Sequence, residues 1–253
     1  MLLSILVKFK AQGIDFNGDF PEDLAARKIL ETSGFLKNLL KTFKEEDTYE
    51  IGRENSIHTH ALKYVDAQLG HKLIEQASIT VWEEKRRCQG VQRTLLELML
   101  NTNNHADTMR QGEKHWWLSV NHRKKEKIVS FSFVDFGVGI FNSLNNKKEG
   151  SKFFGWAEKL EKKFTYGNNA DILSLILKGE LHKTVTGKHY RGHGLPGIND
   201  VLKRNQISKL HIITNNVYAD VESGNFRTLP KDFDGTFIYW ELNIENESCY
   251  GIN

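Results

Sequence analysis

Apolar positions along the chain switch between a helical and an alternating period, and the switches divide it into elements. Leu2, Leu3, Ile5, Leu6 and Phe9 recur at helical spacing, Ile14 and Phe16 alternate, and Pro21 opens a second helical segment that ends at Gly34. Residues 1–44 therefore read as a helix–strand–helix segment. It is too small to bury its own apolar faces, so it is expected to pack on the larger domain, on a partner or on a missing N-terminal portion, the last as part of a truncated small α/β module. A full domain is expected over 45–253. The polar run from Lys44 to Asn55, with TYEIG inside it, supplies a linker and a first strand, and helical spacing follows from His60 to Gln76 and from Val91 to His105. His115–His122 and Ile128–Val134 alternate as strands around the charged turn RKKEK, the pattern of a hairpin. The stretch 141–190 reads as an insertion rich in Lys, Asn and Gly, with short helical patterns at Phe153–Lys163 and Ile172–Lys178. GHGLPGINDVLKR then opens another helix, and strands are predicted at Lys209–Thr214, Val217–Glu222 and Thr236–Leu242. The sum is an α+β fold, with helices packed on one face of a mixed, mainly antiparallel sheet.

Composition narrows the function classes. The chain has 253 residues, 39% hydrophobic and 26% charged, which suits a folded domain and speaks against disorder. A net charge of +3 is too small to argue for nucleic acid, although Arg86, Arg87, Arg123, Lys124 and Lys125 make local basic clusters, and His115, Trp116 and Trp117 could offer a stacking surface. No run reaches the roughly 18 apolar residues of a membrane span. The opening MLLSILVKFK is short, meets Lys8 and Lys10, and lacks a cleavage site, so it is a poor signal peptide. Cys88 and Cys249 stand far apart and outside any CxxC or Cys/His cluster, so the sequence signals neither a disulfide framework nor a zinc site. These features fit a cytoplasmic protein.

Four segments carry candidate chemistry. In LLELMLNTNNHAD, Glu97, Asn101 and His105 are spaced four apart and share one helix face. A carboxylate there can polarise a water, and an amide oxygen is a neutral ligand for Mg²⁺. In FSFVDFGVGI an apolar strand runs into Asp135, Gly137 and Gly139; the glycines let backbone approach a ligand, and the carboxylate can accept from an amino group such as that of adenine. In YRGHGLPGIND a glycine-rich loop leads into a helix whose free N–H groups favour phosphate, with Lys188, Arg191 and His193 adding charge. In FDGTFIYWEL, Thr236 follows a turn at Asp234 and Gly235 and opens a strand. Each segment alone has an ordinary structural reading: a solvated helix face, a turn, a loop before a helix, a strand-favouring threonine. No GxxxxGK[ST] occurs, and no parallel βαβ context surrounds the glycines, so neither a Walker site nor a dinucleotide-binding fold applies.

Taken in order over residues 45–245, the four segments resemble the asparagine box, the two glycine boxes and the terminal glycine-threonine box of the GHKL ATPases, the superfamily of gyrase, the sensor histidine kinases and the MutL proteins. The resemblance implies a histidine kinase-like, Bergerat-type ATP-binding sandwich with an ATP lid at about 141–190. It implies that Glu97 activates the attacking water, Asn101 binds Mg²⁺, His105 reaches the phosphates or the magnesium shell, and Asp135 contacts the adenine amino group. Gly137 and Gly139 would shape the adenine and ribose side. The loop of Arg191, Gly192, His193, Gly194 and Leu195 would wrap the phosphates, and Thr236 would complete the adenine contact. None of His58, His60 and His71 has the flanking sequence of a phosphoacceptor histidine. The N-terminal segment is similar to the tail of a STAS-like module. The implied function is a Mg²⁺-dependent, slow ATPase acting as a nucleotide-controlled switch, with output through a protein partner or a self-dimer. Phosphotransfer to a separate acceptor and noncatalytic ATP binding are the alternatives.

Overall fold

The structure is a computed structural model that describes residues 5–6, 9, 13–15, 17–33, 35–40, 57–62, 64–105, 116–145, 168–180 and 194–246. It is α+β, with one antiparallel sheet and helices. The strands are β1 (Ile57–Leu62), β2 (Trp116–Arg123), β3 (Ile128–Asp135), β4 (Ser208–Asp220) and β5 (Asn225–Leu242), ordered β1-β2-β3-β5-β4. Every pairing among the described residues is antiparallel, so the parallel component expected of a mixed sheet is missing from them. The helices are α1 (Leu24–Thr32), α2 (Phe35–Leu40), α3 (Ala67–Trp82), α4 (Gln89–His105), α5 (Gly139–Asn145), α6 (Asn169–Leu177) and α7 (Gly194–Lys203).

The hairpin at RKKEK forms as its pattern predicts: Lys124–Glu126 make a 3-10 turn, Lys127 takes a left-handed φ of 53°, and Arg123 faces Ile128. The helix expected from His60 is displaced. Residues 57–62 alternate as IHTHAL and form β1, and the helix starts only after Asp66, whose carboxylate accepts from the Leu69 N–H at 2.8 Å as an N-cap. Ile5, Leu6 and Phe9 are helical, but Ile14 lies in irregular chain rather than a strand. The helix expected to end at Gly34 does stop there, at Thr32 with Ser33 as its C-cap, and a separate helix, α2, follows from Phe35. The expected strand at TYEIG and helix at Phe153–Lys163 lie outside the described residues. The two strands expected at 209–214 and 217–222 are one element that doubles back at Asn215–Asn216. Asn215 has a φ of 46°, the Val221 N–H donates to the Leu210 carbonyl at 2.9 Å, and His211 stacks on Tyr218.

Alternate residues of the strands set the core. Trp116, Leu118, Val120, Phe131, Phe133, Ile238 and Trp240 face the apolar sides of α3, α4, α6 and α7, and Phe131 stacks on Trp240 with centroids 5.1 Å apart. α6 falls inside the stretch read as an insertion, yet Leu173, Ile176 and Leu177 are buried in this core, and the amide of buried Asn199 in α7 donates to the Leu177 carbonyl at 2.8 Å. Helices do not keep to one face. Phe35 and Leu39 of α2 pack on the opposite side, over Trp117 and Val134, because those positions are apolar on both faces of the strand ends. Cys88 is buried and disulfide-bonded, contrary to the sequence expectation; linear spacing says nothing of spatial approach. No described helix is long and apolar enough to cross a membrane.

Candidate functional site

Strand register assembles the centre of the site. Trp116 on β2 faces Asp135 on β3, Asp135 faces Thr236 on β5, and Thr236 faces Thr214 on β4. Directly opposed residues point to the same side, so Asp135, Thr236 and Thr214 form a row on the helix-covered face, continuous with buried Trp116. Asp135 and Thr236, 101 positions apart in sequence, are thereby neighbours. The Asp135 carboxylate accepts from the Gly137 N–H at 2.9 Å. Protein crowds it on nearly every side while leaving part of the residue accessible. Loss of water around the charge raises its pKa to about 6, against the lowering effect of the Gly137 and Thr236 N–H groups.

The glycines permit close backbone approaches. Gly235 has a φ of 114°, and a Cβ there would stand 2.0 Å from the Asp135 carbonyl oxygen, so β5 can pass the end of β3 only without a side chain. The expected turn at Asp234–Gly235 is a bulge within the long strand β5 instead. Gly139, at a φ of 75°, starts α5 beneath the Asn215 amide; a Cβ would lie 2.3 Å from Asn215 Oδ1.

Two residues that the sequence reading passed over hold this turn in place. Thr214 is fully buried; its hydroxyl accepts from the Ile140 N–H at 3.0 Å, donates to the Gly235 carbonyl at 3.1 Å and lies 3.4 Å from the Thr236 hydroxyl. The Asn215 amide donates to the Val138 carbonyl at 2.9 Å and accepts from the Phe141 N–H at 3.2 Å. The available signal was the pair Asn215–Asn216 inside an otherwise apolar strand pattern, since asparagine is disfavoured in strands and tolerates left-handed backbone.

Glu97 and Asn101 stand one turn apart on α4, as the spacing predicts. Glu97 is mostly covered and is paired with Arg93 at 3.0 Å, whereas Asn101 is exposed. His105 ends α4, and its side chain lies outside the described residues. Arg191, Gly192 and His193 also lie outside them, so the described part of the glycine-rich loop begins at Gly194, the first residue of α7. Leu195 packs against the core, and Pro196 sits in the first turn, where its missing N–H costs nothing. α7 packs along α4, and Gly90 at the start of α4 lies against Val201 near the end of α7, so the two helices pass in opposite senses. Among the described residues, no hydrogen bond or ion pair joins Glu97 or Asn101 to the Asp135 row, although both belong to the same side of the sheet. Among the described residues, no group of three His, Cys, Asp or Glu could hold a metal ion.

The arrangement is an antiparallel α+β protein with a deep-set carboxylate at a strand end, beneath a glycine turn. No protein-family model matches the chain, and no curated protein matches it.

Proposed function

We propose that this chain is a GHKL-type, Mg²⁺-dependent ATP-binding protein with a Bergerat-type sandwich, working as a slow ATPase and nucleotide-controlled switch. The observation that carries the reading is the Asp135 row. A carboxylate stays in a poorly hydrated position, partly accessible, beside a threonine hydroxyl and a backbone turn free of side chains. Such a position costs stability unless a ligand uses it, and perturbed carboxylates of this kind gather at functional sites. An amino group on a flat heterocycle would satisfy the carboxylate, and Gly137 would let the ring lie against backbone.

Asn101 would offer magnesium a neutral oxygen, the remaining ligands coming from phosphates and water, as this ion prefers. Glu97 would orient the attacking water, Gly194 and Leu195 would border the phosphates at the start of α7, and residues 141–190 would include the lid. Output would pass to the 1–44 segment, a protein partner or a second copy of the chain. A cytoplasmic setting goes with ATP use. The disulfide at Cys88 weighs against it, and thiol labelling of protein taken directly from cells, with and without reductant, decides between them.

One observation favours a second reading, noncatalytic binding: Glu97 is held by Arg93 rather than left free for water. Calorimetric titration of ATP with Mg²⁺ into the wild type, Asp135→Ala and Glu97→Ala, followed by phosphate release from the same samples, separates the readings. A switch ATPase loses binding with Asp135→Ala and loses only turnover with Glu97→Ala. Binding without turnover in the wild type favours the passive module, and label from ATP appearing on protein favours phosphotransfer. A wild type that binds no ATP refutes the nucleotide assignment.

A further inference from the structure

Asn215 occupies the tip at which β4 reverses, and its side chain does not serve that reversal. The amide reaches across to another segment, donating to the Val138 carbonyl at 2.9 Å and accepting from the Phe141 N–H at 3.2 Å, so it closes a bridge over Gly139. The tip itself needs only a residue that accepts a φ of 46°, which glycine does at least as well as asparagine. An amide carries its donor and its acceptor on two separate atoms of one planar group, and the bridged backbone presents one carbonyl and one N–H, also on separate atoms. The match is specific and the residue is buried. The bridged segment, Val138 to Phe141, begins three residues after Asp135 and contains Gly139, with Gly137 directly before it.

We infer that Asn215 is a positioning residue for the purine side of the nucleotide site: its amide sets the path of residues 137–141 and so the backbone surface on which the ring and ribose rest. This rests on the proposed nucleotide reading. Thr214, bonded to the Ile140 N–H, works beside it on the same segment. Because the bridge touches neither α4 nor α7, its loss should fall on recognition of the nucleoside and leave the phosphate side alone.

The test uses Asn215→Gly, which retains the reversal and deletes the amide. Amide hydrogen exchange in the ligand-free protein should speed up at Phe141, with core strand amides unchanged. The ATP Kd should rise about tenfold, as expected for two lost hydrogen bonds. KM for ATP should rise with kcat held, and the affinity for tripolyphosphate should stay the same. A merely structural role would instead speed exchange throughout and reduce the active fraction without moving KM. If Asn215→Gly does not fold, Asn215→Asp replaces it: the carboxylate still accepts from Phe141 but opposes the Val138 carbonyl, and ATP affinity should fall there too. Faster exchange at Phe141 with unchanged ATP affinity overturns the inference, as does unchanged exchange. A wild type that binds tripolyphosphate but no ATP overturns it together with the nucleotide reading, and this is known before any variant is measured.

Discussion

Because protein surrounds the Asp135 carboxylate, its pKa stands at about 6 rather than at the ordinary 3.8, and folding stability must depend on pH through this group. The raised value means that the folded state binds the proton more tightly than the unfolded chain. Its contribution is therefore most favourable below about pH 4, declines as pH rises through 6, and is level above that. The full difference is equivalent to about 3 kcal/mol, an upper bound since part of the residue meets water. Asp135→Asn removes the titration. Urea melts of wild type and variant across pH 4 to 8 should show the variant more stable at pH 7, with the advantage vanishing towards pH 4. The same substitution should weaken ATP binding at pH 7, so stability and ligand affinity would move in opposite directions, as they do at sites kept for function. Thr214→Val tests the next residue in the row. It preserves shape but leaves the buried Ile140 N–H without its acceptor, and a loss of about 1–3 kcal/mol is expected in the same melts.

Along α4, the surface pair Arg93–Glu97 separates structural from chemical roles. An i,i+4 helix pair contributes about 0.3–0.5 kcal/mol, and Arg93 itself is exposed, so Arg93→Ala should leave the melting temperature nearly unchanged. If Glu97 serves water activation, its release should hold or raise phosphate release per bound ATP, measured at saturating nucleotide. A strong fall would assign Arg93 itself to the chemistry. α4 was legible in the sequence because its apolar stripe and its polar ridge are both local, and so was the RKKEK hairpin, whose turn chemistry and alternation agree. β1 was not. IHTHAL adjoins a helix, and its strand character is settled by pairing with β2, which no local pattern shows. The site divides in the same way. Asp135 and Thr236 were legible as separate signals, each at a strand end. Their adjacency, and the bridge from Thr214 and Asn215, depend on register between strands about 80 to 100 residues apart. A disulfide at Cys88 was likewise out of reach of spacing.

At the scale of the whole molecule the sheet divides two surfaces that share the same strand ends. On one side lies the Asp135 row; on the other, Trp117 and Val134 are buried beneath Phe35 and Leu39, with Phe136, Phe233 and Phe237 around them. Val134 and Phe136 flank Asp135 in sequence, and Phe237 follows Thr236, so the alternation that turns the site residues one way turns their neighbours towards α2. The 1–44 segment was expected to need a partner surface for its apolar positions, and α2 finds one on the back of the candidate site. Phe35→Ala combined with Leu39→Ala strips that cover and leaves the helix-side core intact. Two part-buried side chains are lost, so a destabilisation of about 1–3 kcal/mol is expected. Trp117 should become open to acrylamide, seen as added fluorescence quenching that is absent when Trp117→Phe is introduced into the same background. Phe141 amide exchange should stay as in the wild type, since the Asn215 bridge holds that segment from the other face. Quenching that does not rise would mean that α2 does not cover Trp117 in solution. Faster exchange at Phe141 would mean that the docked helix helps shape the site through the strand ends.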